Sequence, residues 1–235
     1  DNATALGATN TTGFSISSYA MGAVSNGVLH AGTHHYNSPV RTVSSITFGA
    51  ANLTAIAGAG GTQNIFAGVM SCDVWEKRLP TAGSAAVAIT YSGTVQEAVL
   101  FVASYGDVDQ TTPYGAVTVT IDATHHTLIS GTAASTATSL VAGYCVAGDE
   151  GGTQNPTGTA LYQTVSNSGG TRGLGQRKNG TGGNVTLDWT DGGTQGITGF
   201  ILVAFAINYG AAAAATSRPV FSSNRPRIIK RRRYI

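Results

Sequence analysis

Apolar and polar residues alternate with a period of two along most of this chain. In "AVTVTI", Val117, Val119 and Ile121 fall on one face while Thr118 and Thr120 fall on the other. In "AAVAITYSG", Val87, Ile89 and Tyr91 share a face, and in "NVTLDWT" Val185, Leu187 and Trp189 do the same. This is the signature of strands that bury one side of a sheet and wet the other. Similar runs near 14–20, 40–48, 65–75, 97–105, 138–147, 159–166 and 197–208 predict ten or more short strands. Gly, Asn, Asp and Pro turns separate them. No stretch of ordinary helix length carries an i, i+3, i+4 apolar stripe. The pattern therefore predicts an all-β fold, an antiparallel two-sheet β-sandwich of jelly-roll-like character. Its domain spans 14–209. A polar lead-in at 1–13 ("DNATALGATNTTG") reads as an N-terminal arm, and 210–235 reads as an Ala-rich linker and C-terminal arm. The Gly-rich segment 166–184 reads as a long mobile loop or pair of loops.

Charge changes the picture more than any other property. Charged residues make up only 10% of the chain, against about 25% in an average soluble domain. With 32 glycines and many Thr, Ser and Ala residues, this suits a displayed or assembled surface better than a cytosolic enzyme. The formal net charge of +2 hides a division. Arg218, Arg225, Arg227, Lys230, Arg231, Arg232 and Arg233 place +7 in the last eighteen residues, leaving the preceding 217 at −5. Such segregation marks the two parts as electrostatically distinct.

Several fragments, in order, resemble a β-sandwich domain recurrent in bacteriophage virion proteins and bacterial surface proteins. They are "VSSITFGAANLT" (43–54), "WEKRLPTAGSAAVAITYSG" (75–93), "AVLFVASYGDVDQTTP" (98–113), and "VTLDWT" (185–190) ahead of "FILVAFAI" (200–207). The resemblance covers about 43–207 and rests on strand and turn positions, so it speaks to fold more than to activity. It implies a structural role on a particle surface, homo-oligomerisation and no cofactor. The His-rich "LHAGTHHYNSP" and the basic tail depart from the family pattern.

Candidate chemistry is sparse. His30, His34, His35, His125 and His126 could suggest a metal site, but adjacent residues on a strand face opposite ways, so none is assigned. Asp107 and Asp109 lack the remaining ligands of a calcium loop and read as corner hydrogen-bonding groups. Asp73, Glu76, Glu97, Asp149 and Glu150 do not form a recognisable catalytic pair, and no nucleophile-elbow, zinc-protease or P-loop motif occurs. The chain is expected not to be an enzyme and to need no cofactor. Cys72 and Cys145 read as two buried thiols, with a single bridge between them as the alternative the sequence leaves open. No apolar run is long enough to span a membrane. Tyr36 and Tyr114, read as loop residues, are the better candidates for stacking on a glycan.

The tail carries the clearest sign of a partner. Beside its cations stand Ile228, Ile229, Tyr234 and Ile235, and Pro219 and Pro226 break any helix. Phosphate neutralisation on nucleic acid, an anionic membrane surface and an arm docking on an acidic protein surface all fit the charge. The apolar residues favour the docking arm. The expected function is a non-enzymatic structural virion surface protein: a capsid decoration or head spike, or a tail-fibre component. Copies of itself and other virion proteins would be its partners, and the particle surface its location. The alternative is a carbohydrate-binding, adhesive module of a bacterial surface protein that takes a host glycan.

Overall fold

The computed structural model describes residues 2–22, 24–65, 68–124, 127–149, 154–166, 170–191 and 197–210. Within them the chain forms fifteen strands in three antiparallel sheets, and no helix. The first sheet holds β1 (Asn2–Met21), β2 (Val28–Asn37), β3 (Val43–Phe48), β4 (Ala51–Asn52), β5 (Thr54–Ile65), β6 (Gly68–Arg78) and β7 (Gly83–Tyr105). Its order is β4-β3-β7-β2-β6-β5, with β1 also paired to β7. The second holds β8 (Thr118–Asp122), β10 (Leu140–Asp149), β12 (Thr159–Val165), β13 (Thr171–Asn179) and β15 (Ile197–Ile207), in the order β12-β13-β10-β15-β8. The third holds β9 (Leu128–Ala134), β11 (Gln154–Pro156) and β14 (Asn184–Asp191), with β14 central.

The two larger sheets face each other as a sandwich. Between them lies a core containing Met70, Cys72, Phe101, Tyr144, Tyr162, Ile201, Val203 and Phe205. The outer face of the second sheet is not solvent-facing. Val141, Cys145, Leu174, Phe200 and Leu202 pack there on Ile129, Leu187 and Trp189 of the third sheet. A further layer arises because β7 folds back on itself. Its Glu97–Tyr105 half pairs with β2, while its Val87–Tyr91 half pairs with β3. The two halves enclose Leu29, Ala31, Ile46, Val87, Ile89, Leu100 and Val102. Four β-layers thus enclose three cores, and each fully buried large apolar side chain contributes roughly 1.5–3 kcal/mol. Strands that face a core on both sides, such as "FILVAFAI" in β15, lose their alternation and read as continuous apolar runs.

Three segments differ from expectation. Residues 2–13 are not an unpaired arm. They form the first half of β1 and pair with β7 from Asn2↔Ser104 to Gly13↔Thr90, so position 14 is no boundary. Small and Thr side chains disguise this strand, because its pairing depends on backbone bonds rather than an apolar face. The His-rich segment is a strand, β2, buried on both faces, not a loop. The Gly-rich segment contains β13 over residues 171–179, not a continuous mobile loop. Its glycines are steric complements. A Cβ on Gly175 would lie 2.4 Å from the Tyr162 ring, and one on Gly173 would lie 2.6 Å from His34.

Candidate functional site

β2 is the middle of the first sheet, between β6 and β7, and its alternation decides where each histidine points. His30 and His34 enter the core between the two larger sheets, while His35 faces the layer made by the folded half of β7. The doublet therefore splits across the sheet, and no group of three or more His, Cys, Asp or Glu able to hold a metal occurs among the described residues. His125 and His126 lie outside the described residues.

His30 is the centre of a directed hydrogen-bond chain. The Tyr114 hydroxyl donates to Glu76 Oε2 at 2.5 Å, so it must accept from His30 Nε2 at 2.9 Å. The Nε2–H tautomer follows, and His30 Nδ1 accepts from the Tyr144 hydroxyl at 2.8 Å. Tyr144 in turn accepts from the Tyr105 hydroxyl at 2.9 Å. One carboxylate thereby orients four groups. At the surface end Arg78 grips Glu76, with Nε–Oε1 at 3.0 Å and a second nitrogen at 2.9 Å. Burial pushes His30 down to about 3, so it is neutral at physiological pH. His34 is also pushed down to about 3, by burial first and by His35 second, and bonds Tyr162 at 2.8 Å. Burial raises the Tyr105 and Tyr144 hydroxyls above their ordinary range. From Tyr114 inward this network is a neutral polar spine that ties β2 of the first sheet to β10 of the second.

The two tyrosines considered for glycan stacking do not share a patch. Tyr36 lies in β2, not in a loop, and its ring covers Gly68. Tyr114 is held in the His30–Glu76 chain and bridges Ile207. Six residues of strand separate Tyr36 from His30, roughly 20 Å at about 3.3 Å per residue.

Asp109 behaves as a corner residue: its carboxylate accepts from Thr111 N at 2.8 Å and from Thr112 Oγ1 at 2.9 Å, which lowers its pKa. Cys72 and Cys145 are free, buried thiols. Cys72 faces the core between the larger sheets and Cys145 the outer core, because Cys145 alternates along β10 with the inward-facing Tyr144 and Val146.

A groove opens where β5 departs from β6. The register jumps from Ala55↔Trp75 to Gly60↔Asp73, so four residues of β5 stand against Val74 alone. Ile56 and Ala59 of this bulge tuck into the core. A cavity of about 390 Å³ remains, lined by Gly60, Gly61, Thr62, Asp73 and Trp75 among others. Ser71, Asp73 and Trp75 alternate onto one face of β6. Asp73 forms no hydrogen bond or ion pair with any described residue, and burial raises its pKa to about 6. Further along the same face of the sheet, buried Ser71 Oγ, His35 Nδ1 and both amide atoms of Asn37 lack partners in the described structure. This polar face was not singled out by sequence motifs. Its signal was the alternation Ser71-Cys72-Asp73-Val74-Trp75 next to the glycines at 58, 60 and 61.

The whole C-terminal arm set lies outside the described residues: Arg218, Arg225, Arg227, Ile228, Ile229, Lys230, Arg231, Arg232, Arg233, Tyr234 and Ile235. The described chain ends at Gly210, whose N–H donates to the Asp107 carbonyl at 2.8 Å. No helix among the described residues is long and apolar enough to cross a membrane. Comparison with protein-family models, curated proteins and solved structures returns no match.

Proposed function

We propose that this protein is a non-enzymatic structural component of a virion surface, whose β-layered body is displayed while residues 218–235 fasten it to neighbouring subunits. The division of charge carries this reading: −5 up to residue 217 against +7 in the last eighteen residues. Opposite charges on two parts of one chain favour association between copies and orient it. The body supports the reading in a second way. Four of its strongly perturbed titratable groups, His30, His34, Tyr105 and Tyr144, are enclosed and hydrogen-bonded to each other or to Tyr114 and Tyr162, where they brace layers instead of meeting a substrate. The resemblance of residues 43–207 to sandwich domains of phage virion and bacterial surface proteins supplies the setting.

Deleting residues 218–235 tests this reading. The shortened chain should keep the far-UV circular dichroism and thermal transition of the full chain but sediment as a monomer and fail to join particles. Normal assembly of the shortened chain would remove the fastening role.

A further inference from the structure

We infer that the groove between β5 and β6, with Asp73 and Trp75 on its wall, is the receptor for an arginine of residues 218–235 from a second copy of this chain. The inference rests on the fastening role proposed above and names the surface on which the arm docks.

The acids of the body single out Asp73. Glu76 is held by Arg78 and Tyr114, Glu97 accepts from Ser166, Asp122 from Thr124, and Asp188 from Ser130. Asp109 is satisfied within its own corner, and Asp107 is exposed. Among acids whose side chains are described, Asp73 alone is mostly sheltered from water and yet has no described partner. Burial raises its pKa to about 6, and no described cation stands beside it to oppose the shift.

The surroundings suit a guanidinium better than an ammonium. Trp75 lies two residues from Asp73 on the same face of β6, about 6–7 Å along the strand. A planar guanidinium can meet a carboxylate through two parallel N–H donors while its face rests on an indole; a lysine can do only part of this. Gly60 leaves the approach open, since a Cβ there would lie 2.8 Å from Asp73 Oδ1. The apolar neighbour on Asp73's own face is Trp75, which packs against the core that holds Leu29 and Ala31. The arm has the matching sequence: Arg227 and Arg231 flank Ile228, Ile229 and Lys230.

Three full-length or tail-deleted chains test the inference by analytical ultracentrifugation at physiological salt. Asp73→Asn should need at least about 10-fold more protein to assemble, because one partner of a sheltered charge pair is gone. Asp107→Asn, at an exposed acid, should assemble like the wild type. At the concentration where the wild type assembles, neither Asp73→Asn (arm intact, groove altered) nor the 218–235 deletion (groove intact, arm absent) should self-associate, but mixing them should restore one hetero-association. Wild-type assembly by Asp73→Asn, while the deletion stays monomeric, would overturn the groove and leave the fastening role standing. Assembly by the deletion itself would overturn the fastening role and the groove with it. Failure of the mixture to associate would overturn docking between copies. A Trp75 fluorescence response to soluble oligosaccharide, with none to synthetic peptide 218–235, would assign the groove to a glycan instead.

Discussion

Asp73 offers a sharp test because its effect on stability should have the opposite sign to its effect on assembly. Its carboxyl has a pKa near 3.8 when unfolded and about 6 in the isolated body, where burial disfavours the charge. A carboxyl whose folded pKa is raised favours the folded state fully only below the unfolded value. That advantage is lost as pH rises from about 4 to 6, and the penalty is complete above 6. A shift of about 2 units at roughly 1.4 kcal/mol each makes the ionised side chain cost the body about 3 kcal/mol near pH 7.5. Asn has nearly the same shape and no charge. Asp73→Asn should therefore raise the urea unfolding free energy by about 2–3 kcal/mol at pH 7.5 and by almost nothing at pH 4. The assay is equilibrium urea unfolding of the full chain below its assembly concentration, followed by tryptophan fluorescence. A stability gain restricted to high pH would identify a carboxylate kept for something other than folding. Equal or lower stability at pH 7.5 would show that Asp73 is already compensated, and the argument for its cationic partner would fail.

Other consequences follow from the buried histidines and their partners. His30 and His34 are neutral when folded, with pKa values pushed down to about 3, but protonate near 6.5 when unfolded, so acid should destabilise the body. Each should remove roughly 1.4 kcal/mol per pH unit between about 6 and 3, outweighing the opposite effect of Asp73; a flat denaturation profile over that range would contradict their burial. Tyr114→Phe should cost about 1–3 kcal/mol, since it strands the His30 Nε2–H and removes the donor to Glu76. Urea unfolding reads that loss, and an unchanged midpoint would refute the directed chain. Gly175→Ala should also destabilise, because its Cβ would fall 2.4 Å from the Tyr162 ring, and a thermal melt matching the wild type would show that the layers can part there.

The period-two segments of β3, β8 and β14, and the apolar runs of β10 and β15, announce an antiparallel β fold directly, because at least one of their faces is apolar and their turns are marked by Gly, Asp and Pro. β2 is hidden by its chemistry: three histidines and Thr33 occupy a fully enclosed strand, where each finds at least one partner in another strand or turn. β13 is hidden by its steric role, since glycines that make room for Tyr162 and His34 look like glycines of a loop. The third sheet is not visible from periodicity at all, which shows that a strand has a buried face but not what covers it. For the candidate site, Asp73 is visible as one carboxylate among several. Its isolation becomes evident only when the partners of Glu76, Glu97, Asp122 and Asp188 are known. The segregated tail is legible at once, because charge needs no folding to be counted.

Placing a photo-crosslinker at Ile229 in the full chain, and mixing isotopically light and heavy protein, locates the arm most directly. The predicted product joins Ile229 of one copy to residues 58–75 of another, in mixed light–heavy pairs that vanish with Asp73→Asn. Crosslinks confined to the arm's own copy, or recovered only on nucleic acid, would contradict an arm that fastens one subunit to the next.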